Sequence, residues 1–148
     1  MRILAVAACA ALFLPSGFAQ KKLTLKDLPP EAQKTVSAEL KGGEIRAIGK
    51  EKEDGVTQYE IETIRNGKHR DFNVDTRGKL LVVEEQTTLD SIPAPARAAI
   101  LKKVADGNLG MLELFVRGGT TLYEAAYTTK AGRKHEVLVT AGGAETKE

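Results

Sequence analysis

Tyr59-Glu60 in "GVTQYE" and Tyr123-Glu124 in "GTTLYE" are the residues whose types and spacing could do acid–base chemistry, and they recur 64 residues apart. A general acid or base needs a carboxyl group with a shifted pKa in a cleft. Around Glu60, however, the pattern has a period of two. Tyr59 and Ile61 fall on one side of a strand, Glu60 and Glu62 on the other. This predicts a sheet surface with the carboxylates turned to water as cross-strand polar neighbours, and Tyr as an anchor at the edge of the core. Tyr59, Glu60, Glu62, Tyr123, Glu124 and Tyr127 are accordingly candidates for an interaction surface, with no catalytic residue among them.

The two histidines, His69 and His135, would be the metal ligands or bases. With no cysteine or carboxylate cluster beside them they fall short of the three or four ligands of a zinc site, and surface imidazoles are expected. No Ser-His-Asp set can be assembled. "KGGE" and "RGGT" lack the Lys-Ser/Thr of a phosphate loop, so their glycines are read as turns, and no cofactor is expected. "RNGKHR" is the one local basic cluster. It offers Arg65, Lys68, His69 and Arg70 as a candidate contact for an acidic partner, with a solvated hairpin as the plainer reading.

The elements that must position these residues are also written twice. At the same offset Leu25, Pro29, Ala32 and Gly43 meet Leu89, Pro93, Ala96 and Gly107, and Gly55, Thr57, Tyr59 and Glu60 meet Gly119, Thr121, Tyr123 and Glu124. After one inserted residue near Ala131, Val74 meets Val139 and Gly78 meets Gly143. Asp27 and Ser91 are predicted to cap a helix in each half, ahead of "LPP" and "IPAP". Ala32, Val36 and Leu40, and again Ala96, Ile100 and Val104, form one apolar stripe per helix. Gly43 and Gly107 are expected to end the helices in left-handed conformation. Asn66-Gly67 predicts a tight hairpin, followed by a strand with Arg70, Phe72 and Val74 on one face. "NLGMLELFV", "TTLYEAAYTT" and "KHEVLVT" read as the strands of the second half, and the tail "AGGAETKE" is expected to be mobile.

The expected fold class is thus α+β: two tandem units, each a helix followed by an antiparallel meander, with the helices on one face of the sheet. The 148 residues suit one compact domain or two very small ones. Net charge is +2 with the signs interspersed, and aromatic residues are 5% with no Trp, which argues against a nucleic-acid partner. "MRILAVAACAALFLPSGFAQ" has the charged, apolar and small-residue order of a secretory signal over residues 1–19, with cleavage expected after Ala19. Apolar residues continue past Cys9 through Leu14, whereas a lipoprotein site would close that run, so ordinary cleavage is expected, with no anchor remaining. The remaining divisions are residues 20–86 and 87–143 as the two units and 144–148 as the tail.

Leu28-Pro29, Gly43, Tyr59-Glu60-Ile61, Phe72-Asn73-Val74-Asp75 and Gly78 form a pattern that resembles the PepSY-like domains of exported bacterial proteins, which look similar to tandem-repeat β-lactamase-inhibitor proteins. The resemblance covers Leu25 to Glu84 well. It is weaker in the second unit, where Ala125 and Ala126 follow Tyr123-Glu124. It implies a periplasmic or secreted, non-enzymatic module that binds another exported or envelope protein, with inhibition or regulation of a peptidase as its specific form. The alternative is a periplasmic sensor or stability factor that binds a small ligand between helix and sheet.

Overall fold

The structure, a computed structural model, describes residues 22–147; the expected signal segment and its cleavage point at Ala19 lie outside the described residues. A 3-10 turn at Leu25–Asp27 leads into α1 (Pro30–Glu39), then β1 (Glu44–Glu53), β2 (Val56–Arg65), β3 (Lys68–Asp75) and β4 (Leu80–Gln86). The same order follows: a 3-10 turn at Leu89–Ser91, α2 (Ala94–Val104), β5 (Asn108–Arg117), β6 (Thr120–Thr128), β7 (Lys134–Thr140) and β8 (Glu145–Thr146). The eight strands form a single antiparallel sheet in chain order. Its two halves are joined where β4 pairs with β5, from Val82 opposite Arg117 to Gln86 opposite Glu113.

Both helices pack on one face of this sheet. Ala32 and Val36 of α1 meet Ile48, Tyr59, Ile61, Phe72 and Val74, while Ala96, Ile100 and Val104 of α2 meet Leu112, Ala125, Tyr127, Val137 and Val139. The helical stripes are therefore the expected ones, and each short helix is held by burial rather than by its own propensity. Phe72 is fully buried, which contributes about 1.5–3 kcal/mol relative to exposure.

Four details of the chain differ from expectation. Asp27 does not cap α1: its carboxylate accepts from Thr24 N and Oγ1 at 2.9 and 2.7 Å and closes the preceding 3-10 turn. Ser91 likewise pairs with Thr88 at 2.8 Å, and the residues before the helices are Pro29 and Pro93. Proline fits there because the first helical N–H groups have no partner inside the helix. Gly43 and Gly107 are not left-handed; positive φ falls instead on Lys41, Gly42 and Ala105. Gly43 and Gly107 serve close approach, since a Cβ on Gly107 would lie 2.5 Å from Thr128 O and one on Gly43 would lie 3.0 Å from Leu40 O. Finally, Glu145 and Thr146 in the expected mobile tail pair with Val139 and Leu138, and Glu145 bonds Lys103 Nζ at 2.9 Å.

The hairpin turns follow the sequence more closely. Asn66 and Gly67 have φ of 52° and 76°, the mirror-image geometry that matches strand twist. Asp54 and Gly55 do the same between β1 and β2.

Candidate functional site

The face of the sheet opposite the helices is covered by no other element among the described residues. Strand alternation places Glu51 and Glu53 of β1, Gln58, Glu60 and Glu62 of β2, and His69, Asp71 and Asn73 of β3 on it. Beyond β3 the same face carries Val82 and Glu84, then Glu113, Phe115 and Arg117, then Leu122 and Glu124, and lastly Glu136 and Leu138.

Two kinds of side chain share this face. The first is apolar: Val82, Phe115 and Leu138 are buried there with Leu81 and Leu122 packed around them, and Phe115 is only 1% exposed. Arg117 lies over the Phe115 ring at 5.5 Å and approaches Glu53 Oε1 at 3.5 Å, so an ion pair joins β5 to β1 across the face. At this end a pocket of about 270 Å³ is lined by Glu53, Asp54, Val56, Gln58, Leu80, Leu81, Val82 and Arg117, among others.

The second kind is acidic. Asp71 stands directly opposite Glu84, and Glu113 directly opposite Glu124. Burial pushes Glu60 above the ordinary carboxylate range, reinforced by the charges of Glu51, Glu62 and Asp71. Burial also raises Asp71, against the lowering effects of the Thr63 N–H and of His69. Glu113 is raised by burial and then by Asp71 and Glu136, with His69 opposing. The remaining polar groups are tied down: Gln58 Nε2 donates to Glu51 Oε1 and Glu53 Oε2, both at 2.8 Å, and Asn73 Nδ2 donates to Glu51 Oε1 at 3.1 Å.

The titration has a definite sign. A carboxyl group whose folded pKa is raised binds its proton more readily folded than unfolded, so stability rises as pH falls from the raised value toward the unfolded one. Glu60, Asp71 and Glu113 therefore make the protein more stable on the acid side of neutrality. Replacing Glu60 by Gln is expected to add about 0.5 kcal/mol at neutral pH and to flatten that acid-side rise, as read by urea denaturation across pH. A loss of stability in Glu60→Gln at neutral pH would contradict this account of a carboxylate disfavoured by burial and by its neighbours' charges.

The face takes in Glu60, Glu62 and Glu124 of the expected surface but not the tyrosines. Tyr59 and Tyr127 are 6% and 8% exposed on the helix side, and Tyr123 is half-buried there, because alternation turns every second residue inward. Tyr127 instead stacks on His135 at 5.5 Å. The basic hairpin does not form one contact surface. Arg70 is buried against α1, Arg65 bonds Glu85 at 2.8 Å, Lys68 is exposed at the turn, and His69 lies on the open face, its backbone N–H donating to Gln86 Oε1 at 3.1 Å. Among the described residues no group of three or more His, Cys, Asp or Glu is arranged to hold a metal ion. The space between helix and sheet, where a small ligand was the alternative, is filled by Ala32, Val36, Ile61, Phe72 and Val74, all at 0% exposure.

Sequence reasoning missed Asp71, Glu113, Phe115, Val82 and Leu138. "LELFVR" carried a signal: its alternation sets Glu113, Phe115 and Arg117 together on the side away from Leu112, Leu114 and Val116.

No family model matches the chain, and no curated protein does. Solved structures do. A Bacteroides eggerthii protein described as periplasmic superposes with a TM-score of 0.66 at 14% identity, covering 81% of this chain and 86% of that one. A DUF2874 family protein from Bacteroides ovatus gives 0.63 at 14% identity, with 81% and 85% covered. A BLIP-like protein from Bacteroides fragilis gives 0.59 at 14% identity, with 81% and 84% covered. The chain therefore shares its fold, two helices on one face of a long antiparallel sheet, with DUF2874 family and BLIP-like proteins.

Proposed function

We propose that this protein is a periplasmic or secreted, non-enzymatic binding module, built of two tandem PepSY-like units at residues 20–86 and 87–143, whose open sheet face engages another exported or envelope protein. Inhibition or regulation of a peptidase is the specific form this reading takes. The observation that carries it is the character of the open face: Val56 and Leu80, 46% and 36% exposed, edge the buried cluster around Phe115, and carboxylates held at raised pKa share the same face, which no element covers among the described residues. Large apolar side chains left exposed on a face without a covering layer mark interaction sites, and a face that keeps like charges adjacent gives up stability for something other than folding. The periplasmic description of one structural neighbour and the BLIP-like name of another support the same reading.

A photo-crosslinking amino acid at Glu62, exposed on the open face, tests it against one at Lys34, exposed on α1. In the source organism, Glu62 is expected to yield a discrete crosslinked protein that Lys34 does not. Equal crosslinking from both positions, or none from Glu62, would count against the open face as the binding surface.

A further inference from the structure

Three hairpin ends converge at one corner of the open face. The β1–β2 turn brings Glu53 and Asp54, the segment before β4 brings Lys79 and Leu80, and the β5–β6 turn brings Gly118; the pocket of about 270 Å³ lies among them. Its apolar lining is Val56, Leu80, Leu81 and Val82. Val82 belongs to the buried cluster with Phe115, but Val56 is 46% and Leu80 36% exposed, and both are among the few large apolar side chains in the described residues left so open. Two such residues meeting at one concavity, continuous with a buried cluster, form the apolar floor of an anchor site. The volume lies below the roughly 300–1,000 Å³ of pockets that take drug-sized ligands, and suits one large side chain.

The charges divide into two zones. At the pocket, Asp54 and Glu53 stand beside Lys79 and Arg117, with Glu53 in contact with Arg117, so the mouth is balanced and selects on apolar shape. Along β2, β3 and β5 away from the pocket, Glu60, Glu62, Asp71 and Glu113 leave the face acidic, with exposed His69 beside them. Cations brought by a partner relieve like-charge repulsion there.

We propose that the partner is a protein carrying a lysine- or arginine-bearing loop, which seats one aromatic or leucine-sized side chain in the Val56–Leu80–Val82 pocket and lays its cations over the carboxylates of β2, β3 and β5. The proposal rests on the binding function above and adds the chemistry of the partner.

Titration of the ¹⁵N-labelled mature chain with three acetylated, amidated peptides tests it: Lys-Lys-Phe-Lys-Lys, Lys-Lys-Ala-Lys-Lys and Glu-Glu-Phe-Glu-Glu. The first is expected to shift the amides of Val56, Leu80, Leu81 and Gly118 saturably at millimolar concentration. Alanine in place of phenylalanine weakens that response by about tenfold or more, the worth of one buried aromatic side chain. Leu80→Asp and Val56→Ser, both at exposed positions, each weaken it while the remaining spectrum is retained. The acidic peptide binds several-fold more weakly than the first.

No saturable shift at these amides, or equal binding of the alanine peptide, overturns the pocket. Equal or tighter binding of the acidic peptide overturns the basic partner and makes this an apolar site indifferent to charge. Crosslinking at Glu62 with no peptide response at Leu80 overturns this proposal alone, whereas loss of Glu62 crosslinking overturns the broader reading and, with it, the protein partner proposed here.

Discussion

Gly78→Ala is expected to lower stability by about 2–4 kcal/mol, far more than the same change at Gly67. Both glycines have positive φ, +82° and +76°, so both substitutions carry the left-handed penalty of about 1–2 kcal/mol. They differ in what the new methyl group meets. At Gly67 nothing lies within 4 Å, whereas at Gly78 the Cβ would stand 2.6 Å from Glu31 O and 2.9 Å from its carbonyl carbon. These are backbone atoms of α1 and cannot rotate away.

The helix must therefore lift from the sheet or the turn must open, and the hydrogen bond from Thr35 Oγ1 to Gly78 O, 2.6 Å long, breaks with it. Gly143 stands in the same relation to α2: φ is +82°, and a Cβ would be 2.6 Å from Pro95 O and 3.5 Å from Ala99 Cβ. Urea denaturation of Gly67→Ala, Gly78→Ala and Gly143→Ala separates the two costs. Equal losses at Gly67 and Gly78 would show that helix docking contributes nothing at this contact.

Arg70→Met is expected to cost about 3–5 kcal/mol, the range seen when one member of a buried ion pair is removed. Arg70 is 4% exposed, donates from Nη1 to Glu39 O at 2.9 Å and from Nη2 to Glu39 Oε2 at 2.6 Å, and lies over the Phe72 ring at 5.2 Å. It thus holds the last carbonyl of α1 and the Glu39 carboxylate together, a cation placed where the helix dipole favours one.

Burial works to raise the Glu39 pKa, but hydrogen bonds from Arg70 and Lys41 and their charges outweigh it and hold it below the ordinary carboxylate value. A depressed carboxylate contributes stability that is present above the unfolded pKa and is lost as pH falls through the folded one. Arg70→Met should therefore weaken the protein at neutral pH and flatten the part of the pH dependence that Glu39 contributes below the ordinary carboxylate pKa. Adding Glu39→Gln should return part of the loss, because the stranded carboxylate is then gone, and Arg70→Lys should not, because a point charge cannot make both bonds. Full stability in Arg70→Lys would refute the two-point cap.

Arg70 also shows how far sequence reasoning reaches. The alternation in "RDFNVD" correctly sets Arg70, Phe72 and Val74 on one face, yet a basic cluster reads as solvated until α1 is placed over it. Tyr59, expected at the edge of the core, and Tyr127 lie deeper than that, at 6% and 8% exposure, because the helices cover their side of the sheet. Glycine, too, was legible in position but not always in purpose. Gly78 and Gly143 pair in the aligned sequence, and the structure makes both the point where a turn touches a helix.

By itself the sequence determined what depends on neighbours within a few residues: the apolar stripes of α1 and α2, the Asn66-Gly67 hairpin, the strand alternation and the spacing at which these recur. Local dihedral preferences and a period of two or 3.6 are enough for that. Only the tertiary structure decided that β4 pairs with β5 to make one sheet, that both helices cover the same face, and that Phe115, Val82 and Leu138 gather with the carboxylates on the other. Strand pairing and burial are set by contacts between residues far apart in the chain, and alternation is symmetric between the two faces until a helix layer lies on one of them.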